Sequence, residues 1–200
     1  MRAYRLLVLA ALGLCACVRT VELSSAIEPA RSGVGRSTEA AGVVCTPGLL
    51  SYREKADFYA FELGEPLCSA LLRSVEASYR SAQRADKPYK GQFGRVIQFY
   101  LHRSALDVRS LPDGSVRVSY SVGVAVETCG RDLQPRARKL VTGNAVVTRR
   151  DANPSDVVKE AAEAALQQVA DDTLRLLVAG LDGPRVAPAP QEPVPAAPAR

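Results

Sequence analysis

The sequence predicts an α+β fold, a two-layer sandwich in which a mainly antiparallel sheet carries two helices on one face. Three observations point there. The segment Val116–Val126 places Val or Tyr at every second residue, with Arg117, Ser119 and Ser121 between them, the mark of a strand buried on one side. The segment Leu111-Pro112-Asp113-Gly114-Ser115 before it is a tight hairpin signal, because Asp-Gly accepts the positive φ such turns require. Two further segments, one on each side of this region, repeat apolar residues at three- and four-residue steps, the period of an amphipathic helix.

Taken from the start, the chain opens with the cations Arg2 and Arg5 and then runs apolar from Leu6 to Leu14. About 20 apolar residues are needed to span a bilayer, so this run is too short. It has the length of the apolar stretch of an export signal behind a charged start. Residues 1–16 are therefore expected to be a signal peptide. Leu14-Cys15-Ala16-Cys17 resembles the lipobox of bacterial lipoproteins: an aliphatic residue, a tolerant position, a small residue, then the modified cysteine. The resemblance implies that Cys17 becomes the first residue of the mature chain and carries acyl chains. It also implies a membrane partner through that anchor. Val18 stands where an Asp favours inner-membrane retention in this family, which points to the outer membrane, facing the periplasm.

Residues 17–42 read as a lipidated start and tether, since Glu28-Pro29, Gly33, Gly35 and scattered Ser and Thr show no sustained period. A short strand is expected at Val18–Leu23 or at Gly42–Cys45. A single domain is expected over residues 43–183. Phe58–Leu63 is rich in aromatics and suits a strand that ends at Gly64. A helix follows over about Glu65–Gln83, with Leu67, Cys68, Leu71, Leu72, Val75 and Tyr79 on its stripe and Pro66 in its first turn. Gly94–Val108 reads as a strand with Ile97, Phe99 and Leu101 on one face and Val96, Gln98 and Tyr100 on the other. After the hairpin strand and a polar loop at 130–137, a further strand is expected over about Lys139–Thr148. The last helix starts at Asn153-Pro154, a good cap followed by Pro at the first helical position, and ends at Gly180 or Gly183. Its Ala161, Ala162 and Ala165 give it a small-residue face that can lie close to a sheet. Residues 184–200 hold six of the 13 prolines and are expected to be a disordered, extended tail.

Composition narrows the function classes. Lys and Arg total 26 against 21 Asp and Glu, and Arg2 and Arg5 leave with the leader, so the exported chain carries only about three net positive charges. There is no basic-plus-aromatic pattern for nucleic acid, so no nucleic-acid partner is expected. Beyond Cys17, three cysteines remain after export: Cys45, Cys68 and Cys129. In an oxidising compartment one disulfide and one thiol are expected. Cys68 lies on the apolar stripe of the first helix, where a cysteine behaves as a small buried hydrophobe. Cys45 beside a Pro-Gly turn and Cys129 on the polar face of its strand are the more accessible, so Cys45–Cys129 is the expected pair. With a single histidine, His102, and no ligand spacing, no metal or other cofactor is expected. No nucleophile elbow precedes any serine, and Asp171-Asp172 are neighbours on a helix that cannot act on one atom together. No catalytic residue is expected. Arg131, Arg136, Arg138 and Lys139, then Arg149 and Arg150, and separately Arg80, Arg84, Lys87 and Lys90, form basic groups. They read either as solubilising charge or as contacts for lipid phosphates or anionic glycans.

A lipobox followed by a tether and by strand, helix, long hairpin, strand and helix is similar to several small envelope lipoproteins. Among them are the lipopolysaccharide-assembly lipoprotein, the auxiliary lipoproteins of lipid-transport ABC systems and the activators of peptidoglycan synthases. Phe61-Glu62-Leu63-Gly64 leading into Leu67, Leu71 and Leu72, together with the Ala-rich last helix, carries the likeness over roughly residues 55–180. It implies a non-enzymatic scaffold or interaction subunit in an envelope protein complex for assembly or transport. The alternative is a lipid- or glycan-binding module, which requires a concave apolar pocket between helices and sheet. No site residue carries over.

Overall fold

A computed structural model describes residues 18–30, 37–56 and 58–180. In chain order the elements are β1 (Arg19–Thr20), β2 (Ser37–Cys45), α1 (Pro47–Leu50), β3 (Arg53–Ala56), β4 (Tyr59–Glu62), α2 (Gly64–Ser78), β5 (Tyr79–Arg84), β6 (Arg95–Ser110), β7 (Ser115–Cys129), β8 (Pro135–Arg150) and α3 (Pro154–Val178). They form a five-stranded sheet in the order β5-β2-β6-β7-β8 and a small sheet in the order β1-β4-β3. The long strands β6, β7 and β8 are antiparallel neighbours, while β2 runs parallel to both β5 and β6. Helices α2 and α3 pack on each other and on one face of the large sheet. The expected two-layer α+β sandwich is the observed architecture.

The alternation of β7 sets the core. Val116, Val118, Tyr120, Val122, Val124 and Val126 are buried under the helices, against Leu67, Leu71 and Val75 of α2 and Ala161, Ala165, Leu166 and Val169 of α3. The hairpin turn closes with Leu111 N donating to Ser115 O at 2.8 Å, and Gly114 takes the positive φ of +80° that the Asp-Gly pair signals. Asn153 caps α3, its side chain accepting from Ser155 N at 3.2 Å.

Four expectations are extended or corrected. First, α2 stops at Ser78, because Tyr79 turns to extended geometry (φ −118°, ψ 157°) and its chain joins β2 as an edge strand. Between Arg80 and Arg84 only Ala82 is apolar, so no stripe exists to hold a helix there. Second, the strand expected in the aromatic segment is present as β4, and it is half of a hairpin, with β3 antiparallel to β4 and Glu54 opposite Phe61. Third, the stretch read as a tether is built into the domain. Val21, Ile27 and Pro29 are buried, β1 pairs with β4, and Ala41 of β2 is fully buried. Helix side chains bind this segment's backbone: Ser24 N donates to Glu163 Oε1 (2.8 Å), Ala30 N to Asp171 Oδ1 (2.7 Å), Gln167 Nε2 to Glu28 O (2.7 Å) and Arg73 Nη1 to Ile27 O (2.9 Å).

The fourth correction is the disulfide. Cys45 is bonded to Cys68, their Cα atoms 6.1 Å apart, and Cys129 is a buried free thiol. The faces of the sheet explain why. Cys45 belongs with Ala41 and Val43 to the main core under the helices, where Cys68 sits on the buried stripe of α2. Cys129 lies on the opposite face in a separate small cluster with Phe93 and Val96, so the sheet itself stands between Cys129 and Cys45. Cys17 and the proline-rich tail at 184–200 lie outside the described residues. Among the described residues no helix is long and apolar enough to cross a membrane.

Candidate functional site

A charged residue inside a protein requires partners, and the described residues hold one clear case. Glu54 of β3 is 5% exposed, although Arg53 and Lys55 on either side point to solvent. Its carboxylate accepts a hydrogen bond from Ser104 Oγ of β6, and Ser104 Oγ lies 2.8 Å from Tyr120 Oη of β7. Ser104 has one hydroxyl proton and gives it to Glu54, so Tyr120 is the donor in the second bond. Tyr52 stands beside the group, where its phenol feels both Glu54 and Ser104. Burial, then the charge of Glu54, pushes the Tyr52 phenol upward. Burial pushes Tyr120 far above its ordinary range, opposed in part by Ser104. Both phenols therefore stay protonated at neutral pH and serve as donors.

Local structure makes this arrangement possible. Strand β6 carries a bulge between Leu101 and Arg103, so His102 is the extra residue, and it is exposed. Without the bulge, alternation would place Arg103 on the core side. With it, Ser104 opposes Val122 and faces the core, while Arg103 covers Gly123 on the back of the sheet. The ring of Tyr120 meets Phe61 of β4 edge to face, centroids 5.6 Å apart. The cluster thus fastens the small sheet to the large one. Glu54 and Tyr120 are buried and Tyr52 and Ser104 half-buried, and the joined carboxylate and hydroxyls hold the two sheets in fixed relation. Tyr120→Phe keeps the ring and removes only the donor to Ser104. We expect a loss of about 1 kcal/mol, read as a fall of roughly 2–4 °C in thermal melts, and an unchanged melt would show that the hydroxyl chain does not fasten the sheets.

The residues singled out by sequence are dispersed. Asp171 binds Ala30 N and Gln167, while Asp172 pairs with Arg175 at 3.1 Å, so the two carboxylates serve different contacts. Several members of the basic groups already have partners. Arg84 pairs with Glu65 at 2.9 Å, a bond that lowers the Glu65 carboxyl and raises the guanidinium. Arg149 pairs with Glu160, Arg150 with Asp151, and Arg138 lies 5.2 Å over the Tyr100 ring. Exposed pairs of this kind contribute about 0–1 kcal/mol each. Among the described residues no group of three potential metal ligands occurs. The space between helices and sheet is filled by side chains that solvent does not reach, such as Phe61, Leu67, Phe99, Val122 and Leu166. The back of the sheet instead carries a shallow open depression of about 250 Å³ beside Ala105, Asp107, Ser119, Ser121 and Val146.

Sequence reasoning missed Glu54 and its partners. The one available signal was Tyr120, the single hydroxyl in a stripe otherwise made of valine.

No protein-family model and no curated protein matches the chain. Solved structures do match. Protein XCC0632 from Xanthomonas campestris, described by the family model DUF330, aligns with a TM-score of 0.54 at 12% identity, covering 80% of this chain and 95% of that one. At that identity the likeness is one of fold. A minor lipoprotein from Acinetobacter baumannii gives a TM-score of 0.44 at 10% identity over 72% of this chain and 94% of its own. The uncharacterized lipoprotein B from Nitrosomonas europaea gives 0.38 at 16% identity over 75% and 91%.

Proposed function

We propose that this protein is a non-enzymatic, lipid-anchored protein of the bacterial cell envelope, serving as an interaction or scaffold subunit in envelope assembly or transport. The observation that carries the reading is the path of the chain just after the lipobox cysteine. Val18 to Ala30 is sewn to β4, α2 and α3 by strand pairing, buried apolar side chains and backbone bonds, with no slack before the folded body. An acylated Cys17 next to such a segment holds the domain against the membrane surface. Its sheet and helices are then presented to partners in a fixed direction. Three acyl chains exceed the two signals that stable anchoring requires. Val18 after the cysteine favours the outer membrane.

Replacing Cys17 by Ala is expected to abolish incorporation of a palmitate analogue and to block normal processing of the leader. Labelling that persists in this variant would sink the anchor. Crosslinking in intact cells followed by purification then addresses the role. One dominant protein partner supports the scaffold, and co-purified lipid or glycan without protein favours a binding module instead.

A further inference from the structure

The anchor end of the chain and the turn between β3 and β4 meet in one place. Arg19 N donates to Phe58 O at 2.6 Å, and β1 runs beside β4 with Arg19 opposite Tyr59. Two large apolar side chains stand out into solvent here, Val18 at 54% and Phe58 at 57% exposure. Arg19 and Lys55 beside them are exposed cations. On the neighbouring strand, Glu62 is already engaged by Arg53 at 3.3 Å. A single exposed apolar residue needs no explanation. Two of them, adjacent in space, flanked by cations and directly beside Cys17 in sequence, do.

We propose that Val18 and Phe58, with Arg19 and Lys55, form a docking patch for the phospholipid surface of the membrane. The proposal rests on the lipidation of Cys17. The Cα atoms of Cys17 and Val18 are about 3.8 Å apart. When the acyl chains enter the hydrocarbon, Val18 lies at headgroup depth, and Phe58, hydrogen-bonded to the next residue, lies at the same level. An aromatic ring and a branched aliphatic group suit the boundary between headgroups and acyl chains, and the cations face lipid phosphates. The anchor has already brought the protein to the bilayer, so insertion of Phe58 is intramolecular and a small patch suffices. The body is then held in one orientation instead of swinging on its anchor.

The chain contains no tryptophan, so Phe58→Trp in the full-length lipidated protein introduces a single indole at an exposed position. The probe is a vesicle of phosphatidylethanolamine and phosphatidylglycerol, with and without brominated acyl chains. Tyr89→Trp is the reference, since Tyr89 is 67% exposed and its loop borders the Cys129–Pro135 turn through Gly91 N to Arg131 O. We expect the Phe58→Trp protein to float with the vesicles, its emission to shift to the blue and the brominated lipid to quench it. The Tyr89→Trp emission should stay that of an indole in water. Flotation with an unquenched Phe58→Trp indole overturns the patch and leaves the anchor standing. An indole that is unquenched on vesicles but shielded by an added envelope protein overturns it also, and assigns the surface to a protein partner. Failure to float overturns the anchor, and the patch with it.

Discussion

Substituting Cys45 and Cys68 together by alanine is expected to lower the melting temperature by roughly 6–12 °C. The bond spans 23 residues of chain, a loop for which the chain-entropy argument gives about 3 kcal/mol. It ties the end of β2 to the first turns of α2 and encloses α1, β3 and β4, which include Glu54 and Phe61 of the junction between the sheets. These are short elements with little sheet of their own, so reduction should loosen them first. Peptide mapping without reductant should return a peptide joining Cys45 to Cys68. In the folded protein Cys129 should resist thiol reagents: burial first, and the nearby Glu127 carboxylate second, push its thiol upward and keep it protonated at neutral pH. Unfolding without reductant should release it. A mapped bond to Cys129, or a melt within a degree of the unaltered protein, would refute the arrangement.

The disulfide also shows where the sequence is legible and where it is not. For β7 the alternation correctly places Cys129 on the face opposite Val126, and that placement alone separates it from the helices. What is missing is the face of Cys45. Strand β2 reads Ala41-Gly42-Val43-Val44-Cys45 with no polar residue to break the symmetry, because both its faces meet apolar clusters. Without that face, accessibility is the remaining guide, and it points to the wrong partner. Long elements with one wet face, such as β6, β7 and α3, declare themselves by period. Short elements whose form depends on neighbours do not. Tyr79–Arg84 becomes a strand only because the edge of β2 is open to it, and Val18–Ala30 is ordered by isolated anchors and by side chains from α2 and α3 rather than by a repeat. The Glu54 site is hidden twice, since Arg53-Glu54-Lys55 looks like a solvated run and the bulge at His102 changes which residues of β6 face inward.

A large effect from a single added carbon is expected at Gly143. The small-residue face of α3, read from Ala161, Ala162 and Ala165, brings the helix against β8 so closely that Gly143 has no room for a side chain. A Cβ built there falls 2.0 Å from the carbonyl oxygen of Ala165, 2.8 Å from its carbonyl carbon and 2.9 Å from Val169 Cγ2. The first two atoms are backbone and have no rotamer to escape into. Gly143→Ala therefore requires the whole helix to rise from the sheet, or β8 to peel from it. Either movement opens the packing of Val124, Val141 and Leu166. Overpacking of this kind costs about 3 kcal/mol, a fall of roughly 6–12 °C in melting temperature. The nature of the contact supplies an internal check. Ala165→Gly should not rescue the variant, because the clash is with main chain. Val169→Ala should recover only a small part, because it removes only the third contact. Gly48→Ala, where a built Cβ meets nothing within 4 Å, is the matched control and should melt close to the unaltered protein. If Gly143→Ala melted alongside Gly48→Ala, the close seating of α3 on β8 would be wrong, and with it the packing that fixes the two layers of the sandwich.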